Sequence, residues 1–297
     1  MEAMSKDPPE EVRPAKHPGM AGVFTKGVFL SLFRPGAGSI RRSPEKAVFR
    51  LENIRIEPGR VTQYAHVCGF SPDADTVPVT FCQTLFNALM GRYFTSGFFP
   101  ASPLGLIHVR QMCERIQPLR PGEIVDLFLA MESAESVEKG LEITFRQQVS
   151  AKGEIVWKGS STFLLKRKGA GGRKKNKEAE EDPGFSRLVS FDVPAGTGRR
   201  YAAVSGDFNP HHISGIAAKL MGFKTPIAHG MWTMARCAAE IENLLASEKQ
   251  GFQIRASFKK PVFMPSRVSL SCRRDAGISF ILENEQTGIP HILGHAG

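Results

Sequence analysis

The sequence predicts an α+β fold of two similar units, in each of which a curved antiparallel sheet wraps around one long helix. Three observations predict this fold. A short motif occurs twice, each half of the chain contains one long helix candidate, and runs of alternating apolar and polar residues follow each helix. The chain of 297 residues is long enough for two units of ordinary size.

The internal repeat relates residues 64–69 (Tyr-Ala-His-Val-Cys-Gly) to residues 201–206 (Tyr-Ala-Ala-Val-Ser-Gly), at an offset of 137 residues. Each copy follows a short strand-like run, at 49–56 in the first half and at 188–193 in the second, and each precedes a longer helix candidate. Because the order of the elements agrees as well as the residue identities, the repeat favours a duplicated unit over a chance match.

One long helix is predicted in each half, over about residues 79–94 and 230–247, because apolar residues recur there at helical spacing. The apolar stripe contains Phe81, Leu85, Ala88 and Leu89 in the first helix and Met231, Met234, Ala235, Ala238, Ile241 and Leu245 in the second. Each stripe would face the concave side of its own sheet.

Four strands are predicted after each helix, because alternation of the kind seen at 254–258 and 268–272 suits antiparallel strands with one buried face. The predicted strands are 105–117, 123–132, 140–149 and 154–166, then 252–260, 266–274, 277–284 and 289–295. A long helix wrapped by such a sheet is the hot-dog architecture, so the chain is predicted to be a double hot-dog.

The chain is predicted to divide into four segments. Residues 45–167 and 185–297 form the two units, and residues 168–184, rich in glycine and charge, form a flexible linker. Residues 1–44 are either an ordinary tail or a targeting segment. Within them, residues 20–44 lack acidic side chains and alternate basic with apolar ones, as an amphipathic transit segment does.

The composition excludes several classes of protein. The net charge is +10, but the basic residues are not laid along one element. One cluster of them lies at 166–177, directly before acidic residues, and no nucleic-acid-binding motif accompanies it. We therefore expect no nucleic-acid partner, although a basic surface suits an anionic coenzyme. No apolar run approaches the roughly 20 residues that span a bilayer, so we expect no membrane span.

The cysteine usage is typical of a reducing compartment, since Cys68, Cys82, Cys113, Cys237 and Cys272 are scattered and lack metal-ligand spacing. The predicted location is the cytoplasm or the mitochondrial matrix, and secretion is not expected. A nucleophilic role for Cys113 or Cys237 is an alternative, but neither lies in a recognisable nucleophile setting.

Candidate catalytic residues lie in a turn of the second unit. His212 lies five residues beyond Asp207, across this turn, so a carboxylate and an imidazole can face one cavity and hold a water molecule between them. Turn geometry is an alternative explanation, because Asp207 and Asn209 could simply make hydrogen bonds inside the turn.

Gly230 begins the second long helix directly after His229. The first N–H groups of a helix have no internal partner, and a glycine there lets a ligand oxygen approach closely, as an oxyanion hole requires. A tight helix start would explain this glycine equally well. A metal at His211, His212 and His229 is not expected, because adjacent histidines usually diverge and no zinc-like spacing is present.

The most informative pattern combines these residues with their neighbours. It consists of Tyr201, Ser205-Gly-Asp-Phe-Asn-Pro210, His212, Ala218, Gly222-Phe223 and Pro226-Ile-Ala-His-Gly-Met231. This pattern resembles the signature of the MaoC-like (R)-specific enoyl-CoA hydratases, also called hydratase 2. The full chain is similar to the two-hot-dog (3R)-hydroxyacyl-thioester dehydratases, also at residues 77–81, 105–109 and 258–262. It departs from the signature at His211 and Ser214.

The resemblance implies a hydro-lyase of fatty-acid metabolism that interconverts (3R)-3-hydroxyacyl and trans-2-enoyl thioesters of coenzyme A or an acyl carrier protein. It implies that Asp207 and His212 activate one water and that the Gly230 N–H binds the thioester oxygen. The expected substrate-binding or supporting residues are Ser205, Asn209, His229 and Met231. No cofactor is required, and a homodimer is a family expectation.

The first unit is predicted to be catalytically silent, because the repeat places Phe70 opposite Asp207 and Asp75 opposite His212. The resemblance implies that this unit covers the acyl chain. The candidate residues for that role are Leu85, Phe86, Leu89, Phe94, Phe98 and Phe99, which would equally suit a plain core.

Two other functions fit a hot-dog fold. A thioesterase would need a nucleophile or base on the long helix, for which Glu240 is the candidate. A non-catalytic acyl-binding or scaffold protein is the other alternative. Degenerate catalytic positions would favour it, yet Asp207 and His212 are both intact.

Overall fold

The structure, a computed structural model, describes residues 11–12, 48–96, 99, 105–167, 184–245 and 251–297. The predicted linker lies outside these residues except for Gly184, and so does the predicted N-terminal segment except for residues 11–12. The division into units at 45–167 and 185–297 stays a prediction.

The helices are α1 Pro58–Cys68, α2 Phe81–Leu85, α3 Asn87–Thr95, α4 Thr197–Ser205, α5 Pro210–Ile213, α6 Gly215–Leu220 and α7 Gly230–Leu244. The strands of the first half are β1 Glu11–Val12, β2 Val48–Arg55, β3 Leu106–Arg115, β4 Ile124–Val137, β5 Gly140–Ala151 and β6 Glu154–Lys166. The strands of the second half are β7 Ser186–Val193, β8 Phe252–Phe258, β9 Ser266–Arg274, β10 Ile278–Asn284 and β11 Pro290–Ala296.

All these strands belong to one sheet, in the order β1-β2-β4-β5-β6-β3-β8-β11-β10-β9-β7. The order β2-β4-β5-β6-β3 in the first half is mirrored by β7-β9-β10-β11-β8 in the second. The halves meet where β3 pairs antiparallel with β8, from Arg110 opposite Ser257 to Arg115 opposite Phe252. This pairing removes two exposed strand edges, because each half covers the edge of the other.

The predicted strands agree with the structure. All eight are present, β6 and β9 have the predicted bounds, and β4 extends five residues beyond its predicted end at 132. The second long helix is also as predicted, since α7 is continuous and buries an apolar stripe that includes Met234, Ala238 and Ile241.

The first long helix differs from the prediction. The range 79–94 contains two helices, α2 and α3, that meet at Phe86. The Phe86 N–H donates to the Gln83 carbonyl at 3.1 Å, three residues back rather than four. This tighter bond interrupts the α-helical ladder, which apolar spacing alone does not reveal.

The five cysteines are free thiols, and Cys113 and Cys237 are fully buried. Burial raises the pKa of both thiols well above its usual range, so neither forms the thiolate that a nucleophile requires. Among the described residues, no helix is long and apolar enough to cross a membrane.

Candidate active site

The Asp207 turn begins where α4 ends. Gly206 follows Ser205 in the left-handed conformation at φ 78°, which a glycine adopts without strain. The Asp207 N–H then donates to Ser205 Oγ at 3.2 Å. Asp207 Oδ1 accepts from the Asn209 N–H at 3.2 Å and from Asn209 Nδ2 at 2.8 Å. Asp207 Oδ1 is therefore held inside the turn.

His212 lies on α5, which begins directly after this turn at Pro210. Its Nδ1 atom is 2.7 Å from the Ile227 carbonyl oxygen. A carbonyl only accepts hydrogen bonds, so this contact requires the proton on Nδ1. The neutral ring then carries a lone pair on Nε2, as a general base does.

His229 connects the turn to the start of α7. Its Nε2 atom is 2.9 Å from the Asp207 carbonyl oxygen and 3.9 Å from Asp207 Oδ2. Its ring stacks on that of His212, with the centroids 3.7 Å apart and the planes inclined by 28°. Asp207, His212 and His229 therefore form one compact group.

The charges in this group follow from burial and mutual contact. Burial and then the neighbouring His229 lower the pKa of His212 to about 3, although Asp207 and the Ile227 carbonyl act in the opposite direction. Burial likewise lowers the pKa of His229. Burial alone would raise the pKa of Asp207, but His229, His212 and the Asn209 N–H outweigh it and hold this pKa below its ordinary value. At neutral pH the site contains a carboxylate and two neutral imidazoles.

The same three residues offer metal-ligand atoms within 4.8 Å of one another. The rings of His212 and His229 stack within this group. One nitrogen of each ring is also committed to a backbone carbonyl. The other nitrogen of each ring is left for a further partner, and the expected absence of a metal stays a prediction.

Gly230 is the first residue of α7, and His229 is its N-cap. The first N–H groups of this helix have no acceptor within it and lie at the positive end of its dipole. A Cβ atom at Gly230 would lie 3.1–3.3 Å from three ring carbons of Phe258. Because Gly230 has no side chain, the Phe258 ring packs against the start of α7. The same lack of a side chain leaves room at the first N–H groups of the helix.

The other predicted substrate-binding residues, Ser205, Met231 and Asn209, differ in what they contact. Ser205 is buried, and its hydroxyl accepts the Asp207 N–H. Met231 is buried in the main hydrophobic core. Asn209 contacts Asp207 through both of its nitrogens. Substrate binding by these residues stays a prediction.

Ser214 and His211, the two residues that depart from the signature, also have defined contacts in the structure. Ser214 is the N-cap of α6, where its Oγ accepts the Ala217 N–H at 3.3 Å. The ring of His211 lies 4.0 Å from that of His212. Burial and the neighbouring His212 lower the pKa of His211 to about 4. His211 is therefore a third neutral imidazole at the site.

Sequence reasoning did not identify His108, which reaches this region from β3 of the first half. Its ring stacks on Phe163 at 4.6 Å and lies 5.0 Å from the ring of Phe258. Its Nε2 atom is buried, with no hydrogen-bond partner in the part of the chain that the structure describes. Burial lowers the pKa of His108 to about 4, while the charge of Asp207 acts in the opposite direction. The segment 105–109, noted for its resemblance, was the available signal.

The equivalent turn in the first half lacks the acid–base pair. Gly69 follows α1 at φ 78°, as Gly206 follows α4. Phe70 then packs against Tyr64, with ring centroids 6.4 Å apart, and Asp75 is exposed. The two halves therefore share the backbone turn but not its side chains.

The fold is that of a double hot-dog protein, and the described part of its second half brings Asp207, His212 and His229 together. Residues 176–287 match the MaoC like domain. The chain is 30% identical over 277 residues to 3-hydroxyacyl-thioester dehydratase X (HtdX) of Mycobacterium tuberculosis, covering 88% of this chain and 95% of the relative. The chain belongs to the MaoC-like dehydratase family, and it is a hydro-lyase of that family. The resemblance found in the sequence is confirmed.

Other comparisons agree. A crystal structure of HtdX superposes with a TM-score of 0.72 at 28% identity, covering 84% of this chain and 98% of that one. A MaoC-like dehydratase from Phytophthora capsici, 19% identical, shares the fold with a TM-score of 0.67 and coverage of 84% and 94%. The peroxisomal hydratase-dehydrogenase-epimerase of Neurospora crassa is 30% identical over 68% of this chain, but over only 23% of its own length. The predicted double hot-dog fold is confirmed.

Proposed function

We propose that this protein interconverts (3R)-3-hydroxyacyl and trans-2-enoyl thioesters by acid–base chemistry on one water molecule. The observation that carries the proposal is the state of His212, whose Nδ1–H is committed to the Ile227 carbonyl while Nε2 remains available beside an ionised Asp207. Two relatives support the reaction, since one is named a 3-hydroxyacyl-thioester dehydratase and another a hydratase.

In the hydration direction, Asp207 and His212 hold the water, and its oxygen bonds to the β-carbon of the enoyl thioester. The proton that leaves the water passes to the pair and is then delivered to the α-carbon. The thioester oxygen gains negative charge during this step and accepts the Gly230 N–H at the start of α7. The pair ends in its starting protonation state, and the reaction is redox-neutral, so no cofactor is expected.

The substrate's acyl chain is proposed to extend into the first half. There Phe94 packs against Phe99, Phe145 and Phe163 with ring centroids 5.1–5.5 Å apart. Phe163 in turn stacks on His108. Leu85, Phe86 and Leu89 are fully buried, and Phe98 lies outside the described residues. Shortening an aromatic side chain in this group should change the preferred chain length.

The thioester arm is proposed to be coenzyme A or an acyl carrier protein, whose phosphates suit the net charge of +10. Comparing kcat/KM for the same acyl group on each carrier tests this choice. The proposed location is the cytoplasm or the mitochondrial matrix, which subcellular fractionation tests. A homodimer is a further proposal, tested by light scattering on the purified protein.

The decisive experiment follows the loss of conjugated-thioester absorbance when the protein is mixed with crotonyl-CoA and longer enoyl-CoAs. Asp207→Asn and His212→Ala should each lower kcat by about 10²–10⁴-fold. Asp75→Asn, in the equivalent turn of the first half, is the matched control and should retain activity. Full activity in both site variants would refute the assignment.

A thioesterase would instead release free thiol without hydrating the double bond, and a thiol reagent in the same assay detects this. The required base on the long helix has little support, because Glu240 Oε1 accepts from Arg236 at 2.8 Å. Binding of enoyl-CoA with neither product would favour a non-catalytic acyl-binding protein.

A further inference from the structure

The carbonyl end of α4 is held by side chains from the other half of the molecule. Asn87 on α3 donates from Nδ2 to the Ser205 carbonyl at 3.0 Å. Arg60 on α1 donates from Nε to the Val204 carbonyl at 3.0 Å and from Nη2 to the Ser205 carbonyl at 3.5 Å. The last carbonyls of a helix have no partner within it, so these side chains supply bonds that the helix itself cannot.

Both donors are themselves held in place. Arg60 Nη2 also bonds Thr84 Oγ1 at 3.0 Å, and its guanidinium lies 5.4 Å from the Phe81 ring centroid. Asn87 Oδ1 accepts from Gln83 Nε2 at 3.1 Å, which directs Nδ2 toward Ser205. Preorganised donors of this kind fix a backbone position better than mobile side chains do.

Asp207 follows Ser205 by two residues, with only the left-handed Gly206 between them. Within its own half the turn is held by Ser205 Oγ and by His229. We infer that Arg60 and Asn87 are positioning residues, which fix the end of α4 so that the Asp207 carboxylate stays beside His212. This inference rests on the proposed hydration reaction and gives the catalytically silent half a direct role in it.

The molecule contains the same arrangement a second time, in reverse. At the end of α1, the Cys68 carbonyl accepts from Arg236 Nη1 at 3.1 Å and the Val67 carbonyl accepts from Trp232 Nε1 at 3.0 Å. Both donors lie on α7 of the second half. The turn after α1 carries no acid–base pair, so this second arrangement contributes to folding without holding a catalytic group.

The repeated arrangement provides a matched control. Asn87→Leu and Arg60→Met each remove one donor side chain at the catalytic turn, and Arg236→Met removes one of the two donor side chains at the silent turn. With crotonyl-CoA, kcat should fall at least about 10-fold in the first two variants while KM changes less than about 2-fold, because small displacements of a reacting group are costly. Arg236→Met should keep kcat within about 2-fold, although it also loses its ion pair with Glu240.

Thermal melting of all three variants separates positioning from stability. If Arg236→Met lowers the melting temperature as much as Asn87→Leu does but keeps kcat, stability alone does not explain the loss. Arg60→Lys, which keeps a donor, should recover part of kcat. An equal loss of kcat in Arg236→Met, or an unchanged kcat in Asn87→Leu, would overturn the inference.

A second measurement does not depend on turnover. The pKa of Asp207, followed by carboxyl NMR, should move upward in Asn87→Leu, because a relaxed turn loses the histidine contacts that lower it. It should stay unchanged in Arg236→Met. An inactive wild-type protein would refute the proposed reaction, while an Asp207 pKa that is the same in every variant would refute the positioning role.

Discussion

The rings of His212 and His229 stack with their centroids 3.7 Å apart, beside the carboxylate of Asp207. Two buried rings at this distance are not both in the cationic form, because the second positive charge would be repelled by the first. Burial also disfavours the charged form of each ring, which lowers both pKa values. The carboxylate and the paired neutral rings together define the resting state of the site.

This resting state predicts the pH dependence of the reaction. The pKa of His212 is lowered to about 3 and that of Asp207 also lies below its usual value, so both groups are in their basic forms at pH 5 and above. The rate should be level from about pH 5 to 8 and fall only at lower pH, as these groups take up protons. Initial rates at saturating enoyl-CoA, with circular dichroism to monitor folding, provide the measurement. An acid limb centred near 6.5, the pKa of an ordinary histidine, would contradict it.

Gly198 on α4 is predicted to be essential for placing His212. A Cβ atom there would lie 1.9 Å from the His212 carbonyl oxygen, so Gly198→Ala must push α4 and α5 apart. The expected loss of stability is about 1–3 kcal/mol, with a fall in kcat because His212 moves. Gly59→Ala on α1 is the control, since a Cβ atom there meets nothing within 4 Å. Equal melting temperatures and rates in the two variants would argue against this role of Gly198.

Much of the site could be predicted because its signals are local in the sequence. Asp207, Asn209 and His212 lie on one turn and the short helix after it, and Gly230 begins a helix whose apolar stripe is plain. The spacing of these residues in the sequence therefore determines both the local backbone conformation and which side chains lie together on it. The alternation within β6 and β9 is local in the same way, and their bounds were predicted correctly.

The remainder depends on contacts between distant segments. The bond from Asn87 to the Ser205 carbonyl spans 118 residues, and the Arg60 contacts with the same helix end span 144 and 145. His108 meets Phe258 only because β3 pairs with β8. Neither the internal repeat nor the apolar pattern encodes which polar side chain crosses the contact between the halves. The interruption at Phe86 was missed for a different reason, because it is a local change of hydrogen bonding within an apolar run that apolar spacing does not reveal.

The open start of α7 is predicted to be required for activity. The added methyl group of Gly230→Ala would lie 3.1–3.3 Å from Phe258 ring carbons and would also obstruct a ligand oxygen approaching the helix N–H groups. We expect kcat to fall by about 10²-fold. The double variant Gly230→Ala with Phe258→Leu relieves the contact with the ring, so it should regain stability without regaining rate. Phe258→Leu alone is the control, and a double variant with normal kcat would show that the glycine serves packing only.

His108 is predicted to make the protein less stable in acid. Its pKa is lowered to about 4 in the folded chain, against about 6.5 in an unfolded one. Between these values the unfolded chain binds the proton and the folded chain does not, so stability is full above about pH 6.5 and is lost as the pH falls toward 4. The contribution of His108 to this loss is at most about 3 kcal/mol at pH 4.

The exchange His108→Phe removes this proton-binding difference and keeps an aromatic ring against Phe163. The fall in melting temperature between pH 8 and pH 4.5 should therefore be smaller in the variant than in the wild-type protein. The same exchange at His66, which is exposed on α1, is the control. If His108→Phe shifts the melting temperature equally at both pH values, its effect is one of packing, and the buried imidazole does not cause the acid sensitivity.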